Sequence, residues 1–409
     1  MKKTSVFTLI LSIALFISCE EDNGNGTDPD NSVFDGVTLR GTILEDLTIP
    51  AGSYTLQGDV VVENGVTLTI EAGTTFTARN SDGLDLLIVR QGGTLIANGT
   101  ANNLIVFTAD EQEAGQWGGI TLAGRAPVNF GIEDDGQFTT VSPAIAEVRN
   151  LPYGGVSPAD NSGILNYVRV EYAGAQLTPE SEFNSFSFYG VGSGTTLTNL
   201  QAYNGKDDGF EFFGGTANAS NLIATGCEDD SLDWTEGWTG SISNIYIVLG
   251  SNSDSGFEGD GNGLNNDAEP FSNPQLSNIS IIGTNGVGEG LNLREGTNVN
   301  IDNVYLTGFD LGGDLKYIEI DSESTIGYIY DGSFELTNIN FDGPETGVKV
   351  DFPTNDDPTA SDYVDGAPDD IPSDGDLSDL SLNTFTESTS TGAGDGANIP
   401  DWATNWIKE

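Results

Sequence analysis

Histidine is absent from the 409 residues. That removes every serine or cysteine nucleophile activated by an imidazole, and every imidazole zinc site. Cysteine is scarce: Cys19 and Cys227 are the whole supply, too few for a disulfide framework, so burial and backbone ladders must hold the chain. Positive charge is scarce as well. Thirteen Lys and Arg face 63 Asp and Glu, for a formal net charge of −50. Such a field repels nucleic acid and anionic glycans and attracts cations. Beyond the first two dozen residues, no segment approaches the ~20 consecutive apolar residues a membrane helix requires.

What is present begins with a leader. Lys2 and Lys3 precede an apolar run from Val6 to Ile17, which ends at Ser18-Cys19. This pattern predicts a signal peptide over residues 1–18. Phe16-Ile17-Ser18-Cys19 resembles a bacterial lipoprotein cleavage box, which makes Cys19 the expected lipidated (palmitate-bearing) residue; the other reading is an ordinary signal peptide with a coincidental cysteine. Residues 19–32 then form an acidic polar tether. With Cys19 lipidated, Cys227 is expected to be a buried free thiol.

The body of the chain repeats. Thr198-Asn199-Leu200, Ser220-Asn221-Leu222, Ser243-Asn244-Ile245, Ser277-Asn278-Ile279, Asp302-Asn303-Val304 and Thr337-Asn338-Ile339 recur with Asn intervals of 22, 23, 34, 25 and 35. Three intervals suit one turn of a β-solenoid, and the two longer ones suit a turn plus a loop. Each triplet is expected to open a short alternating strand, followed by Gly-rich turn residues. Helical periodicity is missing. Earlier, the stretch Val62 to Thr74 returns as Val89 to Thr100, as two stacked coils; rungs at Ile105-Val106-Phe107 and Ile120-Thr121-Leu122 continue them, and Ala126 to Ser162 reads as a long excursion. The predicted fold is all-β, a right-handed parallel β-helix spanning 33–350 as one domain and, by expectation, a monomer. Residues 351–398 read as an acidic low-complexity or poorly ordered segment. Residues 399–409 place Trp402 and Trp406 on one helical face, as a cap for the open core of the last coil.

Gly115-Gln116-Trp117-Gly118-Gly119-Ile120, Tyr153-Gly154-Gly155, Gly190-Val191-Gly192-Ser193-Gly194-Thr195 and above all Asp207-Asp208-Gly209-Phe210-Glu211-Phe212-Phe213-Gly214-Gly215 resemble a family of Bacteroidota surface lipoproteins with a pectin-lyase-like β-helix and no established activity. The resemblance runs over nearly the whole chain. Glu20, Glu21 and Asp22, directly after Cys19, are similar to the acidic surface-export tag of such lipoproteins, which implies an outer-membrane anchor and display at the cell surface. Some members carry a multidrug-transporter label, which the want of membrane spans argues against.

Aligning the coils on their Asn residues stacks acids. One column reads Asp208, Asp230, Asp254 and, across a longer loop, Glu289; a second reads Glu211, Asp233 and Glu258, with Asn292 next. Rungs ~4.8 Å apart force like charges together unless a proton or cation intervenes, and an all-oxygen set suits calcium. The alternative is that these side chains splay into water and bind nothing. The loop from Asp254 to Asp267 is a weaker calcium candidate, failing the EF-hand pattern at Leu264. Trp117, Trp234, Trp238, Tyr203 and Phe213 are either a sugar-stacking face or, as alternation favours, core.

Two functions remain open. The first is a non-catalytic, calcium-loaded module binding glycan, matrix or an envelope protein. The second, implied by resemblance to pectate lyases and polygalacturonases, is a calcium-dependent polysaccharide lyase or a glycoside hydrolase. There Asp207, Asp208, Asp229 and Asp230 would supply acid and base, and Lys206 or Arg294 would take the α-proton. Surrounding carboxylates keep a lysine protonated and so oppose that last role. Fold likeness alone does not establish activity.

Overall fold

A computed structural model of the chain describes residues 33–79, 83–130, 144–146, 148–178, 181–284, 288–309, 316–343, 348–351 and 385–409. The leader, Cys19 and the tether lie outside the described residues, as do 352–384 of the low-complexity stretch.

Twenty-four strands join in one continuous sheet, wound as a parallel β-helix. Its first ladder stacks Gly163–Glu171, Thr196–Tyr203, Ala219–Thr225, Ser241–Val248, Gln275–Ile282, Asn300–Thr307 and Glu335–Asp342, each parallel to the next. The second ladder stacks Ile120–Ala123, Phe186–Tyr189, Phe210–Phe213, Leu232–Thr235, Ser255–Gly259, Glu289–Leu293 and Lys316–Ile320. The repeated coils of the N-terminal part pair as their sequences align, with Leu68 on Leu95 and Val62 on Val89.

The Asn triplets do not open strands, as the sequence suggested. They sit in mid-strand and bend it. Leu197 and Leu200 are both buried although three apart, a spacing that puts side chains on opposite faces of an ordinary strand. Asn199 between them has φ 53, and this one left-handed residue resets the alternation so that both leucines point inward. Asn221, Asn244, Asn278, Asn303 and Asn338 adopt the same conformation, which Asn tolerates better than most residues. Their side chains satisfy one another along the axis. Asn221 Nδ2 donates to Asn199 Oδ1 at 2.8 Å, Asn244 to Asn221 at 2.8 Å, Asn278 to Asn244 at 3.0 Å and Asn303 to Asn278 at 2.7 Å. One rung lower Tyr167 takes the bend at φ 50, and its neighbour Asn166 supplies the amide, accepting from Asn199 and donating to Asn98, each at 2.8 Å.

The core is aromatic where the ladders meet. Phe186 stacks on Phe210 at 5.0 Å and Phe212 on Trp238 at 4.3 Å, and Trp117, Trp234 and Trp238 are fully buried. These three are core, not a sugar platform. A second apolar cluster covers the outer side of the second ladder in its N-terminal half. Tyr189 and Phe213, stacked at 3.9 Å, lie there beneath Tyr153, with Val148 and Leu151 from the 126–162 excursion.

Two further features depart from the sequence reading. A helix, α1 (Glu323–Asp331), is capped by the Ser322 side chain and closed by Gly332 at φ 79. And residues 399–409 do not cover the end of the last coil. The segment 390–409 runs along the flank of the first ladder, where Ala403 and Trp406 pack on Ile223 and Tyr246. The outward side chains of those middle rungs are themselves apolar, so the two tryptophans find cover there. Residues 385–387, within the stretch read as low-complexity, pair with the strand Glu335–Asp342.

Candidate functional site

The acids come together on the outward side of the second ladder, beyond the part sheltered by Tyr153. Strand register aligns Ser187, Glu211, Asp233, Glu258, Asn292 and Glu319 in one column. The apolar residues between them, Phe210, Phe212, Leu232, Trp234 and Phe257, face the core. Alternation therefore fixes the acids on the outer face. This column matches the sequence alignment of Glu211, Asp233 and Glu258 residue for residue.

The other column needs correction. Asp208 and Asp230 each stand two residues before a paired core residue, Phe210 and Leu232. On the next rung that position is held by Ser255, two before Phe257, and beyond it by Glu289. Asp254 falls one place out of register, beside Asp229, and is exposed. The turn before it carries two residues more than its predecessors, with eleven positions from Asn244 to Ser255 against nine from Asn221 to Asp230, which slides an alignment counted from the Asn.

Asp208 and Asp230 are neither splayed nor exposed: 7% and 5% of their surface is accessible. Asp208 Oδ1 accepts the backbone N–H of Asp230 at 3.0 Å, and Asp230 Oδ1 accepts that of Ser255 at 2.9 Å and the Ser255 hydroxyl. One oxygen of each carboxylate thus caps the rung above. Oxygens of Asp208, Glu211 and Asp233 lie within 4.8 Å of one another, as do those of Asp207, Asp208 and Asp229. Burial, and then the charge of Glu211, holds the carboxyls of Asp208 and Asp233 well above their ordinary range. Burial and Glu258 do the same for Asp230. Burial and Asp260 push Glu258 up to about 7.

A buried amide completes the group. Asn184, 2% exposed, donates from Nδ2 to Glu211 Oε2, while its own Oδ1 and Asp233 Oδ1 are buried without a partner among the described residues. Asn184 was not among the residues singled out from the sequence. The signal was available: Asn184-Ser185-Phe186-Ser187 repeats the spacing of Asp208-Gly209-Phe210-Glu211 and Asp230-Ser231-Leu232-Asp233 one rung earlier.

The cations nearby are engaged. Arg294 bonds Glu258 through Nη2 and Asp260 Oδ1 through Nε at 3.0 Å. Lys206 lies 3.6 Å from Glu228 and is largely solvated. In the Asp254–Asp267 loop, Asn262 spends its side chain on the loop itself and on the excursion: Oδ1 accepts from Leu264 and Asn265 N–H, and Nδ2 donates to the Asn129 carbonyl. With Asp260 held by Arg294, that loop is a structural joint. Cys227 is buried and unpaired by any disulfide, and burial pushes its thiol up to about 12.

The donor set fits calcium. It is all oxygen, and two oxygens on opposite sides of an ion bound at ~2.4 Å stand ~4.8 Å apart, the span within which Asp208, Glu211 and Asp233 offer theirs. Asp233, one of the three, has an oxygen buried without a partner among the described residues.

A family model described as a pectate-lyase like beta helix domain matches residues 41–407. Compared with curated proteins and with solved structures, the chain has no match.

Proposed function

From the premise that the chain belongs to the pectate-lyase like beta helix family, we propose that it is a non-catalytic binding module, lipid-anchored through Cys19 at the outer membrane and displayed on the cell surface. Its acidic face, loaded with calcium, engages a glycan or an envelope partner. The observation that carries this reading is the packing of Asp208, Glu211 and Asp233 within 4.8 Å, with an unpartnered buried oxygen on Asp233. One oxygen from each of three carboxylates converging at one point suits a cation seat, where glycoside hydrolysis asks for a pair of carboxyls flanking the scissile bond. Oxygens this close share a cation or a proton. Calcium supplies a fixed positive charge on a face otherwise hostile to anionic glycans; Asp208, Glu211 and Asp233 would hold it.

The second reading, a calcium-dependent lyase or a hydrolase, is favoured by Glu258, whose raised carboxyl titrates where a general acid is useful. One experiment separates the two. The protein lacking its first 18 residues, with Cys19→Ala, is titrated with calcium by calorimetry and applied to a glycan array with and without the metal. Parallel assays follow new reducing ends and unsaturated products. Calcium-dependent retention without products supports the binding module, and product formation removed by Glu258→Gln replaces it with the enzyme. Absence of calcium heat overturns the calcium-loaded module and the lyase, and products formed without the metal would leave the hydrolase.

A further inference from the structure

Segment 390–409 lies in a channel whose walls recognise it as they would a peptide ligand. The walls are the outward residues that follow the Asn bend on successive rungs of the first ladder, and they reach for the main chain of the segment in sequence. Asn340 Nδ2 donates to the Ser390 carbonyl at 2.8 Å. Ser280 Oγ accepts the Ala393 N–H at 3.0 Å. Tyr246 OH donates to the Ala397 carbonyl at 2.9 Å. Gln201 grips Lys408 from both sides: its Oε1 accepts the Lys408 N–H at 2.8 Å, and its Nε2 donates to the Lys408 carbonyl at 2.7 Å. Arg169 Nη1 reaches the Trp406 carbonyl at 3.3 Å. Gln201 and Ser280 are completely buried beneath the segment, and polar side chains are kept in such places only when bonded.

Side-chain selectivity sits at two points. Trp406 is 3% exposed, edge-on to Tyr167 at 5.7 Å, an aromatic anchor of the kind that dominates peptide interfaces. Lys408 Nζ bonds Glu171 Oε2 at 2.8 Å and lies over the rings of Tyr172 and Tyr203 at 4.9 and 4.5 Å. A carboxylate between two aromatic faces selects a cation. The docked segment also bonds within itself: Trp402 donates to the Ala393 carbonyl at 3.0 Å and Trp406 to the Trp402 carbonyl at 2.8 Å.

We propose that this channel is a peptide-binding site whose resident ligand is the chain's own segment 390–409. The ligand is separable from the rod and is read through its main chain, Trp406 and Lys408. In the intact chain, covalent connection presents the segment at an effective concentration of about millimolar, so the site is filled in cis and closed to other peptides. A second copy's segment carries the same determinants and can enter once the cis one is released.

The test uses the full chain with a protease site inserted between residues 360 and 375. After cleavage, the released fragment is expected to co-elute with the rod on size exclusion. A fluorescent synthetic peptide of residues 390–409 should then exchange into the cleaved protein and be excluded at least tenfold from the uncleaved one. Peptides carrying Lys408→Ala or Trp406→Ala should exchange at least tenfold more weakly, and Glu171→Gln in the rod should erase the Lys408 preference. Immediate loss of the fragment on cleavage overturns the proposal, as does equal binding of the wild-type and both substituted peptides. If Glu171→Gln fails to fold, Tyr203→Leu reports on the same lysine seat.

Discussion

Asp208 accepts the backbone N–H of Asp230 from one rung below, at 3.0 Å. The pair is therefore joined by the hydrogen bond that also brings its charges together, and the two effects separate by mutation. Asp208→Asn keeps an oxygen for the N–H and removes a buried charge, so without metal it should be as stable as the parent or more so. Asp208→Ala strands the N–H and should cost about 1–3 kcal/mol. Urea denaturation of both variants in chelator checks the order.

Calcium should reverse that order for Asp208→Asn. A ligand at 100 times its dissociation constant adds about 2.7 kcal/mol to a fold that alone binds it. The parent should melt higher in millimolar calcium than in chelator, and Asp208→Asn and Asp233→Asn should lose most of the gain. Superimposable parent melting curves in calcium and chelator would refute the site.

Stability should depend on pH with an unusual sign. Glu258 titrates near 7 when folded against an ordinary value of 4.5, so the folded state binds more protons in that interval. Stability is then lost as pH rises through it. Asp208, Asp230 and Asp233 act in the same direction. In chelator, the melting temperature should climb as pH falls from 8 towards 5, with a shallower slope in Glu258→Gln. At lower pH the trend turns. Glu171 is held below its ordinary range by Lys408, Thr108 and Arg169, which outweigh its burial, so its contribution is present above its unfolded pKa and disappears on protonation through its folded one.

The bend in the first ladder makes a third kind of prediction. Asn244→Ala loses the amide bonds to Asn221 and Asn278 and places a Cβ-bearing residue without side-chain compensation at φ 64. Asn244→Gly loses the same bonds at a backbone angle glycine adopts freely. Chemical denaturation should show the alanine variant less stable than the glycine variant by about 1 kcal/mol, although alanine is the better residue in ordinary strands and helices.

The fold was legible because a rung is a local event. Leu200, Leu222 and Ile245 recur at the Asn interval, and a strand of that length has one way to stack. Glu211, Asp233 and Glu258 followed because each lies inside a strand, one place after a core residue, Phe210, Leu232 and Phe257. Asp254 did not, since it was counted from an Asn across a turn whose length varies. The bend at Asn199 was hidden for a similar reason: a single φ sign, invisible in composition, lets Leu197 and Leu200 share a face. Helix α1 had its marks in Ser322 and Gly332, but nine residues between strands give too short a pattern to outweigh the surrounding period. The docking of Lys408 on Gln201 joins residues 207 apart, and no spacing along the chain announces such a contact.

Rungs that touch only their neighbours open from an end and pass the opening inward one step at a time, like a zipper. Segment 390–409 adds a return tie. Ser390 is fastened at the rung of Asn340 and Lys408 at the rung of Gln201, five ladder pairings away. Fraying of the last rungs must release a line of anchors that ends in the middle of the rod. Pulled from its end, this half should give way as one block and at one force, where an untied stack would unravel in a series of small steps.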